Sequence, residues 1–190
     1  MTTGFDLRGA WQAMHDPLTG LPGRGLFYDR VQKALLVAGR EELLVSLMVL
    51  HIDADQDGQH GPIDVEQRKL LLREVADRLT ASMRTSDSAG RIDQEHFGVL
   101  LPHSEEEGAS IVAGRIMVQL LRPVLLDDLA ISMRCNVGVA VATHQATPIE
   151  AFELFARASE AIESARQRGG GFAAYDSPES RELLDSMRMG

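Results

Sequence analysis

The sequence predicts an α/β sandwich, a sheet layered against helices, with one exposed β-hairpin. Three observations carry that expectation. Apolar runs of strand length at 43–52 and 130–143 alternate with stretches whose apolar residues recur at helical spacing. Two short segments flank a polar turn at Asp93-Gln94, and three consecutive glycines close the last helical pattern.

A helix opens the order. The apolar run Leu43 to Ile52 then reads as a buried strand. From about Asp64 to Met83, Val65, Leu71, Leu72, Val75 and Leu79 fall at helical spacing, so a helix leads directly to Arg84. Ser88 to Ile92 and His96 to Leu101 are short strands around the turn at Asp93-Gln94. Ser104 with Glu107 spells a capping box that opens the next helix, which ends before Pro123. Ala130 to Thr143 alternates as one strand. Thr147-Pro148-Ile149-Glu150 is a second capping box with Pro at the first helical position, and its helix runs to Gly169-Gly170-Gly171. Phe172 to Tyr175 is a last short strand.

At 190 residues, with 44% apolar side chains, the chain supports one domain that buries roughly 70% of its unfolded surface. Nineteen basic against 28 acidic residues give a formal charge of −9, which argues against nucleic acid as a partner. The single cysteine, Cys135, lies in an apolar run and is expected to be a buried free thiol in a reducing compartment. No signal peptide or run of membrane-spanning length is present in the sequence, so a cytoplasmic location is expected.

Four motifs in the right order carry a family resemblance. They are Asp16-Pro17-Leu18-Thr19-Gly20-Leu21-Pro22-Gly23-Arg24; Arg84-x-x-Asp87 followed by Asp93-Gln94-Glu95-His96-Phe97; Val137-Gly138-Val139-Ala140; and Ala158-Ser159-Glu160-Ala161 with Ala165-Arg166. Across residues 10 to 175 the chain resembles the GGDEF domain of diguanylate cyclases, which join two GTP molecules into cyclic di-GMP. The resemblance implies a nucleotidyl cyclase-like sandwich whose central mixed, mostly antiparallel sheet is flanked by helices, with the signature on a β-hairpin. It divides the chain into a lead-in helix at 1–15, the domain at 16–176 and a linker at 177–190. In composite relatives such a linker leads to an EAL phosphodiesterase domain.

The resemblance also assigns site residues. Asp53 and Glu95 match the family's two metal-binding carboxylates, and magnesium enters only with bound GTP. Arg166 matches a helix Lys that meets phosphate, while Ser159 and Glu163 stand where the family has Asp and Tyr. The signature turn departs most. Its two glycines are Asp93 and Gln94, whose side chains fall where nucleotide would lie, and a left-handed conformation costs each about 1 kcal/mol. His96 replaces the next acid, and the guanine-reading Asn and Asp are gone, with Arg68-Lys69 in that region. Arg84, Asp87 and Arg115 match the family's product site, where guanidinium forks bind phosphate and guanine edges and a carboxylate accepts from guanine N–H groups.

The expected function is a catalytically inactive GGDEF domain that binds cyclic di-GMP and regulates. One alternative is a nucleotide-free scaffold for an EAL-type domain or another signalling protein. The other is a weak cyclase or a GTP-binding activator, and a homodimer is compatible with each. Asp53-x-Asp55-x-Asp57-Gly58, with Asp64 in twelfth place, also spells a calcium loop, against which stand the preceding strand pattern and Gly61-Pro62. His15, His51 and His144 are expected to be structural or surface residues. Met14, Met48, Met83, Met117 and Met133 are expected in the core, and Trp11 against the first helix or a neighbouring domain.

Overall fold

The computed structural model describes residues 14–54, 63–126, 129–142 and 149–175. The chain runs α1 (Arg24–Glu41), β1 (Val45–Ala54), α2 (Val65–Ala81), β2 (Ser88–Arg91), β3 (His96–Pro102), α3 (Glu106–Leu120), β4 (Val124–Leu126), β5 (Leu129–Ile131), β6 (Met133–Ala142), α4 (Ala151–Gln167) and β7 (Gly171–Ala174). Five strands form one sheet in the order β2-β3-β1-β6-β7. β1 is antiparallel to both β3 and β6, β2 is antiparallel to β3, and β6 is parallel to β7. The sheet is therefore mixed and mostly antiparallel, as expected.

Both faces of the central strand are covered, which explains why β1 is apolar without alternation. Met48, Leu50 and Ile52 point into one core with Leu71 and Val75 of α2 and Val112 and Ile116 of α3. Val45, Leu47 and Val49 point into the other, with Phe27, Val31 and Leu35 of α1 and Leu154 and Ala158 of α4. Phe27 lies over Gly90 and Gly98, which are cross-strand partners. A Cβ at either glycine would come within 2.3 Å or 2.1 Å of its ring. Gly138 allows a closer approach still, since a Cβ there would lie 2.0 Å from the Ala158 carbonyl oxygen of α4.

The edge at β2 is closed by the opening motif. Arg91 N donates to Pro22 O at 2.8 Å, and Gly23 forms a parallel bridge with Arg91. The motif is itself tied by Asp16, whose carboxylate accepts from Thr19 N at 2.8 Å and Thr19 Oγ1 at 2.7 Å.

Several local expectations need correction. α3 starts at Glu106 with Glu105 as N-cap and no side-chain cap bond, so Ser104 and Glu107 form no capping box; Ser46 Oγ instead donates to the Ser104 carbonyl at 2.7 Å. α4 starts at Ala151 with Glu150 as N-cap, which excludes Pro148 as its first helical residue. Its first N–H is satisfied from a distance, by Gln32 Oε1 at 3.0 Å. Thr147 and Pro148 lie outside the described residues, as do Trp11, His144, nearly all of the 1–15 lead-in and the 177–190 linker. The strand expected at 130–143 is interrupted at Ser132, because Leu129–Ile131 pairs with Val124–Leu126 in a separate hairpin. Met14 is 48% exposed rather than in the core, whereas Met48 and Met133 are buried and Met83 and Met117 pack against the core edge. Among the described residues, no helix is long and apolar enough to cross a membrane.

Candidate functional site

The end of β1 meets the β2–β3 hairpin beside the start of α2. His51 pairs in register with His96, and Ile52 N donates to Glu95 O at 2.8 Å, so Glu95 lies across the ladder from the neighbour of Asp53. Asp53 is exposed and stands opposite Arg134 of β6.

The turn itself is closed by a side chain. Asp93 Oδ1 accepts from Glu95 N, His96 N and His96 Nδ1, each at 2.9 Å. Burial works to raise the Asp93 carboxyl, but these donors outweigh it and hold the group below its usual value. Among the described residues only Glu42 and His103 are non-glycine residues with positive φ. Asp93 and Gln94 therefore avoid the left-handed strain expected of them, because a carboxylate-closed turn replaces the glycine one.

Glu95 is engaged at both oxygens. Arg68 Nη2 lies 3.1 Å from Oε1 and His51 Nε2 lies 3.4 Å from Oε2. Among the described residues, no three His, Cys, Asp or Glu side chains gather to hold a metal. Asp64, twelfth in the calcium-like spacing, is the N-cap of α2, accepting from Gln67 N at 2.8 Å while Gln67 Oε1 accepts from Asp64 N at 2.9 Å. Asp55, Asp57 and Gly58 lie outside the described residues.

A cavity of about 990 Å³ opens beside the hairpin, lined among others by Asp16, Arg24, Arg68, Lys69, Arg91 and Asp93. Arg91 is only 7% exposed and lies 4.4 Å over the Phe97 ring. Burial pulls its guanidinium below its ordinary value, against the opposing pull of Asp16 and Asp93. Its Nη2 donates to Gln94 O, while Nη1 is buried without a hydrogen-bond partner.

The other expected site lies where α2 turns into β2. Arg84 N donates to Asp87 Oδ2 at 2.8 Å and Asp87 N donates to Arg84 O at 3.1 Å, so the two residues are brought together through backbone. The Arg84 side chain is exposed. Arg115 is exposed on α3, one turn before Gln119, whose carbonyl accepts from Arg78 Nη1 of α2 at 2.9 Å. Arg166 is exposed in the last turn of α4, where a cation also suits the helix dipole.

The family described as "Diguanylate cyclase, GGDEF domain" matches residues 13–171. The chain belongs to the GGDEF family. Among curated relatives, the bifunctional diguanylate cyclase/cyclic di-GMP phosphodiesterase MucR of Pseudomonas aeruginosa is 25% identical over 183 residues, covering 93% of this chain and 26% of MucR. The diguanylate cyclase TpbB of the same species is 32% identical over 143 residues, covering 73% of this chain and 32% of TpbB. The chain thus spans about a quarter to a third of the length of these relatives. The GGDEF domain of DgcB from Caulobacter crescentus, solved with c-di-GMP, superposes with a TM-score of 0.75 at 21% identity, covering 93% of this chain and 99% of that one. The diguanylate cyclase SiaD from Pseudomonas aeruginosa, solved with its activator SiaC, superposes with a TM-score of 0.73 at 25% identity, covering 87% of this chain and 62% of that one.

Set in a GGDEF frame, the signature residues Asp93 to Phe97 occupy the hairpin as expected. The partners of Glu95 were not foreseen. Arg68 is visible in the sequence only as a departure from the family, and His51 only as a polar interruption of an apolar strand. Arg91, between Gly90 and Ile92, carries no signal of its own at all.

Proposed function

We propose that this GGDEF domain does not cyclise GTP and acts as a regulatory module in cyclic di-GMP signalling, binding cyclic di-GMP at Arg84, Asp87 and Arg115. One observation carries the reading: Arg84 is exposed at a turn where its own N–H fixes the Asp87 carboxylate, and Arg115 is exposed on α3. Asp87 can accept from guanine N–H groups, and the arginines offer forks to phosphate and to guanine O6 and N7. Inactivity rests on the hairpin, where Asp93 and Gln94 fill the turn and Glu95 is engaged by Arg68 and His51.

Isothermal titration with cyclic di-GMP tests binding. Heat at micromolar protein is expected, with loss of binding in Arg84→Ala and weakening in Arg115→Ala; unchanged binding in Arg84→Ala would sink the site. Incubation with GTP and magnesium or manganese, followed by chromatography, tests turnover. Cyclic di-GMP formed by the wild type but not by Glu95→Ala would establish the weak-cyclase reading instead.

A second reading is a scaffold that works through protein contacts alone. Phe152 is 73% exposed on α4, near the stacked rings of Tyr28 and Phe155, and the related SiaD is solved with a protein activator. MucR, which pairs cyclase and phosphodiesterase, makes an EAL-type domain beyond the 177–190 linker the partner of choice. Absence of cyclic di-GMP heat together with Phe152-dependent binding of such a domain favours this reading. A domain at 16–176 and a cytoplasmic setting complete the proposal, with which a homodimer is compatible.

A further inference from the structure

Asp53 follows Ile52, whose N–H donates to the Glu95 carbonyl, so the two acidic residues stand one ladder step apart at one end of the sheet. Acids at adjoining positions repel unless a cation lies beside them, and in a divalent-metal site that cation is the metal. Here the chain supplies a cation of its own, the Arg68 guanidinium. Arg68 meets one oxygen of Glu95 and His51 the other, while Arg134 stands opposite Asp53. Arg68 is also in an electrostatically poor place for its own helix: it is the fourth residue of α2, with its N–H donating to Asp64 O at 2.9 Å in the first intrahelical bond. The positive end of a helix disfavours a cation there, and Glu95 offsets that cost.

We propose that Arg68 is a resident substitute for a divalent ion, held by α2 against Glu95 so that the site is closed to magnesium and manganese. The inference deepens the non-cyclising reading above and rests on it only for its functional consequence. It yields a definite gain of function, because removing one side chain opens a latent metal site.

The measurement is a manganese titration of the full chain followed by the electron paramagnetic resonance of the free ion. Arg68→Ala is expected to bind Mn²⁺ at least about tenfold more tightly than wild type, a difference of roughly 1.4 kcal/mol, and Arg68→Ala/Glu95→Gln to lose the gain. Arg68→Gln, which keeps length and hydrogen-bonding capacity without charge, is expected to behave like Arg68→Ala and guards against a helix effect. Equal affinity in wild type and both single variants, or a gain that survives Glu95→Gln, overturns the assignment. Either result leaves cyclic di-GMP binding at Arg84 untouched, and a failed cyclic di-GMP titration leaves the manganese result untouched.

Discussion

Asp93 closes the hairpin with one carboxylate oxygen, where a glycine pair would close it by backbone freedom. Asp93→Ala is expected to lower stability by about 1–2 kcal/mol in urea denaturation, since two backbone donors lose a charged acceptor in a partly exposed turn. The Asp93 carboxyl is held below its usual value, so its contribution is present above about pH 4 and is lost as pH falls through the lowered value. Wild type should therefore lose more stability than Asp93→Asn between about pH 5 and pH 3, and parallel acid profiles would contradict this. Cys135 behaves differently: burial pushes its thiol up to about 12, so it is a poor nucleophile in the native state. A thiol reagent at pH 8 is expected to label it only as fast as the protein unfolds. Its apolar neighbours made that burial legible in the sequence, whereas the role of Asp93 was not, because a turn acid looks the same whether it is solvated or is holding the chain.

At the level of elements, glycines decide how closely the helices can sit on the sheet. Gly90 and Gly98 make room for the Phe27 side chain, and Gly138 makes room for the backbone of α4. Gly98→Ala is expected to cost about 1–3 kcal/mol, part of which is recovered in Gly98→Ala/Phe27→Leu, because a side chain can be trimmed to relieve the clash. Gly138→Ala meets the Ala158 carbonyl and the Ile162 N–H, for which no trimming is available, and is expected to cost at least as much. The helices and the hairpin were readable from periodicity, since apolar spacing records which face is buried. Their starts were misread for a physical reason. Ser104 and Thr147 have capping chemistry, yet α3 and α4 begin at Glu106 and Ala151, and the α4 start is satisfied by Gln32 from a helix 119 residues away in sequence. Local motifs cannot report so distant a donor. The split of the long strand at Ser132 was hidden in the same way, because the β4–β5 hairpin competes for residues that alternate correctly for either pairing.

For the whole molecule, the family and its architecture were legible because four motifs occur in the order that the fold requires. The contact between Arg68 and Glu95 was not, since the two are 27 residues apart and meet only in three dimensions. If cyclic di-GMP binds as proposed, a hundredfold excess over its dissociation constant stabilises the fold by about 2.7 kcal/mol, visible as a rise in Tm that Arg84→Ala abolishes. The opening motif has a separate consequence for handling the protein. Pro22 and Gly23 lie along the outer edge of β2, and a chain shortened to begin at Arg24 would leave the Arg91 N–H available to a strand from another molecule. Gel filtration of that truncated chain should show concentration-dependent self-association beyond that of the longer chain, making the motif a guard against aggregation as well as a family signature.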